Sequence, residues 1–276
     1  MRLSERERNL LLKIARNPEP QNVFDKLKKG KYVDESNPYL KIVTEQINET
    51  MPEMHLPEPW NGHLSKARVM VISSNPSLNS SEDFPTKKWM DDEIVNFFDN
   101  RFADNRMLKS IYWTKIANCI KMCSIIPDSA KNLSTYEFLN KFVVCTEIVH
   151  CKSEGEEGVV CACIHEEEKF LEKIISLFSG ELIIILGSKA KRLFYEYNLS
   201  DIIGNKKIVF LNHTSSNQSY KEKKEIMEKV LENTDDDNEN DWSNDSDDDD
   251  EENDWSNDSN DNDDWSDDSD DEYRNW

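Results

Sequence analysis

Four short apolar runs recur along the chain, separated by stretches of helical periodicity. The runs are ARVMVISS (67–74), FVVCTEIVH (142–150), LIIILG (182–187) and KIVFLNH (207–213). Each is rich in β-branched residues and apolar at successive positions, as in a strand buried on both faces. Between them, DDEIVNFFDNRF, RMLKSIYWTKIANCIKM, HEEEKFLEKIISLFS and SKAKRLFYEY repeat their apolar residues at helical spacing. This alternation predicts an α/β domain with a parallel sheet covered on each side. In such sheets ligands bind beyond the carboxyl ends of the strands. The polar stretches SSNPS, TEIVHCKS and NHTSSNQS fall there.

The first 57 residues read as a helical lead-in packed on the core. ERNLLLKIARN and NPYLKIVTEQINETM carry helical spacing, and PEPQNV and LPEPW are expected to break it. The core domain is expected over 58–231 and a tail over 232–276. The third run leads into GSKAKRLF, a helix start whose Ser188 and Lys189 could meet a phosphate. A plain strand-to-helix connection with solvated lysines is the other reading.

Charge changes the picture of the tail rather than of the core. Residues 233–276 hold 22 of the 56 acidic residues and a single arginine, so they carry −21 of the formal −22. The rest of the chain is near neutral, so any face for an anionic partner must come from local clusters such as Lys87, Lys88, Lys189, Lys191 and Arg192. The tail repeats NDWSNDSDDDD, NDWSNDSNDND and DDWSDDSDDE around Trp242, Trp255 and Trp265, and ends at Trp276. Such a composition cannot bury a core and predicts disorder. It reads as a ligand for a protein partner, a self-association segment or a DNA mimic. A repeat-expanded acidic tail with no specific target is the alternative.

No long apolar run suggests a membrane span, and MRLSERERN is too charged for a signal peptide. A cytoplasmic protein with reduced cysteines is expected. None of the seven glycines lies between Gly62 and Gly155, which argues against a Gly-rich dinucleotide turn or a P-loop.

VISSNPS after the first strand and LNHTSS after the last resemble the two signature motifs of the uracil-DNA glycosylase superfamily. YWTKIANC, TEIVHCKSEGEEGV and FLEKIISLFSGELIIILGSKAKRLF resemble its middle, in order, over roughly 58–231. The similarity is strongest to the branch with thermostable iron–sulfur members. The resemblance implies a three-layer α/β/α sandwich with a central four-stranded parallel sheet and a pocket for a base flipped out of DNA. It implies hydrolysis of an N-glycosidic bond, with DNA carrying a damaged or non-standard base as partner and no cofactor.

By the same resemblance, Asn75 positions the hydrolytic water and His213 donates to a base carbonyl oxygen. Phe84, in EDFP, stacks on the flipped base, with Ser74 beside it. Ser77, Ser188, Lys189, Ser215 and Ser216 meet phosphates. Each has a bland alternative: a turn at Asn75-Pro76, a hydrogen-bonded His213, a core Phe84. Two positions depart from the family. Glu147 stands where uracil-excising members of this branch commonly carry an Asn. Ionised, it offers only acceptors; protonated in a dry pocket, it donates; or it faces away. Thr214 stands where most members have Pro. These departures favour a non-catalytic nucleic-acid-binding or interaction protein of the same fold as the alternative function.

HCKSEGEEGVVCACIH gathers cysteines and histidines. The N-terminal cysteine pair of the iron–sulfur members is absent, because no cysteine precedes Cys119. A zinc held by Cys151, Cys161, Cys163 and His165 and a reduced, half-buried loop are the two readings of this stretch.

Overall fold

The first apolar run shows how the others are used. In the computed structural model, Val69–Ser73 is a strand buried at four consecutive positions. Val69 and Val71 belong to one apolar cluster, and Met70 and Ile72 to another. Successive side chains of a strand point to opposite faces, so a run apolar at every position joins two layers of core. The structure describes residues 3–49, 51–80, 82–102, 111–164, 170–214, 216 and 218–232. The tail from 233, with its expected disorder, lies outside these residues.

The elements follow in chain order. Three helices lead: α1 (Glu5–Ala15), α2 (Pro18–Lys28) and α3 (Leu40–Asn48). Strands β1 (Asn61–Gly62) and β2 (Val69–Ser73) are followed by α4 (Asp91–Asp99), α5 (Ile111–Lys121), α6 (Asp128–Lys131) and α7 (Thr135–Phe142). Then come β3 (Val143–Glu147), α8 (Val159–Ile164), α9 (Phe170–Leu177), β4 (Leu182–Leu186), α10 (Ser188–Glu196), β5 (Lys207–Leu211) and α11 (Tyr220–Glu232).

The sheet order is β1-β3-β2-β4-β5. Strands β2 to β5 are mutually parallel, and only β1 runs antiparallel, pairing Asn61 with Cys145 and Gly62 with Val144. One face packs on α5, α6, α7 and α11 through residues such as Trp113, Phe138, Leu139 and Met227. The other packs on α1, α4, α9 and α10 through Leu11, Phe98, Ile174 and Leu193. The expected α/β sandwich around four parallel strands is therefore what forms. Because β3 and β4 flank β2 on opposite sides, the chain reverses direction across the sheet at the carboxyl end of β2, where a crevice opens.

Two local expectations need correcting. The helical lead-in does break at PEPQNV, with α1 ending at Ala15, but PEPQNV itself is helical and starts α2. Asn17 caps the helix by accepting from the Glu19 amide, and Pro18 sits in the first turn. The first turn has no intrahelical acceptor for its amide hydrogens, so proline costs nothing there. VVCACI, read as a loop or metal segment, forms α8. LPEPW does end the helical segment, and it then clamps onto β3. Thr146 donates to the Pro59 carbonyl at 2.7 Å, and the Glu58 amide to the His150 carbonyl at 2.8 Å. That clamp carries Glu58 to the crevice.

Candidate functional site

The segment after β2 lacks glycine because it does not turn sharply. It runs on, paired with the segment after β3. The amides of Ile148 and Val149 donate to the Ser73 and Ser74 carbonyls, both at 2.9 Å. Farther out, Ser153 donates to Pro76 at 3.3 Å and Leu78 to Ser153 at 3.2 Å. Two strand ends thus extend together past the sheet and form a stiff lip. Asn75 is pinned within it. Its amide nitrogen donates to Ser153 Oγ at 2.9 Å and to the Pro76 and Cys151 carbonyls at 3.1 and 3.4 Å.

This lip borders a cavity of about 1010 Å³ at the carboxyl ends of the parallel strands. Ser74, Asn75, Ser77, Glu147, Ser188, Lys189 and His213 all line it. Residues from the ends of four strands, 139 positions apart in sequence at the extremes, therefore converge. His213 follows β5, and its ring stacks on Tyr112 of α5, with centroids 5.7 Å apart and planes at 27°. Burial lowers the His213 pKa, as do the charges of Lys223 and Lys115, so the imidazole is neutral at neutral pH.

Two sequence-predicted residues are placed elsewhere and one is not described. Phe84 is only 2 % exposed and belongs to the core beside Phe97 and Phe98. It is not among the residues lining the cavity. Lys152 Nζ lies 4.0 Å from its ring centroid and the Arg101 guanidinium 5.3 Å. Its ring carries buried cations where a base-stacking platform was expected, the arrangement that a ring's negative face favours. Ser216 lines a smaller cavity of about 200 Å³ between α5, β5 and α11. Ser215 lies outside the described residues.

The cations over Phe84 belong to a buried charge cluster that sequence reasoning missed. Lys152 Nζ lies 3.1 Å from Glu58 and 3.3 Å from Glu82, and Arg101 pairs with Glu82. The Lys152 and Glu58 side chains are 4 % and 6 % exposed. Burial alone would raise the Glu58 carboxyl, but the charges of Lys152 and Arg101 and a hydrogen bond from Asn61 hold it down at about 2. No local pattern announces this cluster, since Glu58 and Lys152 meet only through the clamp of LPEPW on β3.

Glu147 behaves in the opposite way. It closes β3, is 8 % exposed and lines the cavity, so it does not face away. Burial, and then the negative charge of Glu58, raise its pKa well above the ordinary carboxyl value. A hydroxyl chain reaches it: Tyr112 and Ser73 are 3.2 Å apart, and Ser73 hydrogen-bonds Glu147. Among the described residues, Glu147 Oε2 has no hydrogen-bond partner. Two carboxyls facing one cavity are thus pushed in opposite directions, Glu58 down by its cations and Glu147 up by burial, a division typical of catalytic pockets.

Across the mouth, Glu156 bridges the two sides. Ser74 Oγ donates to its carboxylate, and Lys189 Nζ lies 3.4 Å from both its carboxylate and its backbone carbonyl. Its φ of 61° is in the left-handed region, beside Gly155 at 55°. A non-glycine residue there is held by its contacts.

The cysteines do not gather. Cys151 is buried, Cys161 exposed and Cys163 half-buried. Among the described residues no group of three or more His, Cys, Asp or Glu side chains is arranged to hold a metal ion, and His165 lies outside them. Also among the described residues, no helix is long and apolar enough to cross a membrane.

A comparison with curated proteins gives no match. A family model does match, over residues 59–234, which takes in every strand from β1 to β5 and both sides of the cavity. A match of that extent, on an α/β sheet with a polar cavity at its carboxyl edge, shows that the chain belongs to the uracil DNA glycosylase superfamily.

Proposed function

We propose that the protein hydrolyses the N-glycosidic bond of uracil or another altered base flipped out of DNA. The observation that carries this reading is the opening of Asn75 and His213, from the first and last parallel strands, onto one cavity. The C1′–N bond breaks, and its electron pair leaves with the base. Water adds to C1′ and loses a proton to solvent, leaving an abasic sugar.

The pinning of Asn75 supports its role. Its amide hydrogens go to Ser153 and to backbone carbonyls. Oδ1 remains as the acceptor that orients a water hydrogen, so the water oxygen faces the sugar. Asn is too weak a base to take that proton, and its contribution is positional. The neutral His213 ring, held against Tyr112, donates to a carbonyl oxygen of the leaving base as negative charge develops.

The test is a panel of oligonucleotides, each carrying one altered base, single- and double-stranded, assayed for abasic sites. At least one is expected to be cleaved, and Asn75→Ala is expected to lower that rate about 100-fold, the cost of misplacing a reacting group. Binding without cleavage across the whole panel would instead favour a non-catalytic nucleic-acid binder.

Ser77, Ser188 and Lys189 are proposed to meet backbone phosphates. Lys189 and Ser74 now hold the Glu156 carboxylate, so a nucleic-acid phosphate competes with this chain's own anion. Glu156→Gln is expected to tighten oligonucleotide binding several-fold at low salt. It should steepen the salt dependence by about one released counterion. Equal affinity and slope in filter-binding or anisotropy titrations would refute the competition.

A further inference from the structure

We propose that Glu147 is a second catalytic donor: its neutral carboxyl gives a hydrogen bond through Oε2 to a carbonyl oxygen of the leaving base. The inference rests on the glycosylase reading and deepens it.

Oε2 is the open end of this carboxyl: it is buried, it faces the cavity, and it has no hydrogen-bond partner among the described residues. The Ser73 and Tyr112 hydroxyls lie 3.2 Å apart, and either can donate to the other. Ser73 also bonds the Glu147 carboxyl. When a base carbonyl oxygen meets Oε2, one arrangement gives every atom a partner: Tyr112 donates to Ser73, Ser73 donates to the other carboxyl oxygen, and Oε2 donates to the base. A buried polar atom without a partner costs free energy in the resting protein. At a cavity wall it is a group waiting for a ligand.

The surroundings keep that proton in place. Glu58, facing Glu147 from the β1 side, is an anion, and Glu156 adds a second negative charge from the mouth. Lys152 favours ionisation of Glu147, but Glu58 and Glu82 share its charge. Tyr112 and Cys145, the other titratable neighbours, are both pushed upward by burial and remain neutral. A second carboxylate here would face Glu58 across a dry site, which is unfavourable for the same reason that paired carboxyls share a proton.

The chemistry of the donor selects the base. In the reaction, the electron pair of the C1′–N bond moves into the base and charge gathers on its carbonyl oxygens. Glu147 keeps its proton and strengthens its hydrogen bond to that oxygen. No proton is transferred, and the balance of the hydrolysis is unchanged. The substrates are then bases with a carbonyl oxygen on the edge that meets β3, the oxo-pyrimidines and oxo-purines. An unaltered amino-bearing edge would present a donor to a donor.

Two measurements test this, using the full chain. The first is the single-turnover rate of abasic-site formation against pH for wild type, Glu147→Gln and Glu147→Ala. The wild-type rate should fall about tenfold per pH unit above the point where Glu147 ionises. Glu147→Gln keeps a neutral donor, so that alkaline fall should vanish. Glu147→Ala should lose about 100-fold or more at low pH, as for one donor to a developing anion. Cleavage with the same pH profile in wild type and Glu147→Gln would overturn the donor role while leaving the glycosylase reading intact.

The second measurement needs no substrate. With Glu147 protonated when folded and ionised when unfolded, the folding equilibrium of wild type should weaken relative to Glu147→Gln by about tenfold per pH unit. That weakening begins above the ordinary carboxyl range. No difference in slope would overturn the neutral acid whatever the panel shows. Absence of cleavage on every base would overturn the catalytic role together with the glycosylase reading.

Discussion

Lys152→Met is expected to destabilise the folded protein by about 3–5 kcal/mol, the range for breaking a buried ion pair from one side. Three things make Lys152 costly to remove. Its ammonium lies 3.1 Å from Glu58 and 3.3 Å from Glu82, and both it and Glu58 are almost fully buried. It also donates to the Ser77 carbonyl at 3.3 Å and covers the Phe84 ring at 4.0 Å. Methionine keeps the stem and its packing, so the loss isolates the charge. Of the two cations that hold the Glu58 carboxyl down, Arg101 would then remain, and it is already paired with Glu82. Adding Glu58→Gln should recover most of the loss, because the unpaired anion rather than the missing attraction dominates the penalty.

The pH dependence has a definite sign. Glu58 is held at about 2 when folded, against an ordinary 4.5. A depressed carboxyl contributes stability that is present above the unfolded value and is lost as pH falls through the folded one. The penalty of Lys152→Met should therefore shrink as pH is lowered from about 4.5 towards 2. Urea unfolding at several pH values checks both statements. A loss below about 1 kcal/mol at neutral pH, the worth of an exposed pair, would contradict the burial argument.

His213→Ala is expected to lower the rate of abasic-site formation by about 10²–10³-fold, the usual cost of removing one donor to a developing anion. The effect should fall on the chemical step, with oligonucleotide affinity little changed, because the ring is proposed to act only as charge develops. The lowered His213 pKa keeps the imidazole neutral, so wild-type activity should be flat through neutral pH on its acidic side. His213→Gln supplies an amide donor and should recover part of the rate. Tyr112→Phe keeps the stacked ring but removes the hydroxyl that meets Ser73. It should leave the His213 contribution in place and weaken the one proposed for Glu147. Single-turnover rates on one cleaved oligonucleotide, with binding measured in parallel, separate these outcomes. A uniform loss of affinity with an unchanged chemical step would remove His213 from the reaction.

The four parallel strands were legible because burial on both faces writes itself into consecutive positions, as at LIIIL and VMVIS. The helices around them were legible for the same reason at a different period. Strand β1 was not, since Asn61–Gly62 is too short to carry a pattern and exists only because β3 offers an open edge. Pro18 was misleading because a proline that ends one helix and a proline that begins the next look alike without the Asn17 cap. Phe84 was misplaced because an aromatic beside a proline says nothing about which way its ring points. The cations that cover it lie 17 and 68 positions away in sequence.

The sequence by itself determined the alternation of strands and helices, the family, and the two polar loops that close the cavity. These depend on periodicity and on short motifs, which local chain order preserves. Only the tertiary structure decided which side chains reach the cavity and what charge they carry there. The segment after β2 and the segment after β3 run on together and pin Asn75. LPEPW delivers Glu58 to Lys152, whose charge holds that carboxyl down against its burial, while burial pushes the neighbouring Glu147 carboxyl up. The physical reason is that desolvation and Coulomb interaction depend on distance through space, and the chain brings residues 58, 112, 147 and 213 together only when the sheet has formed.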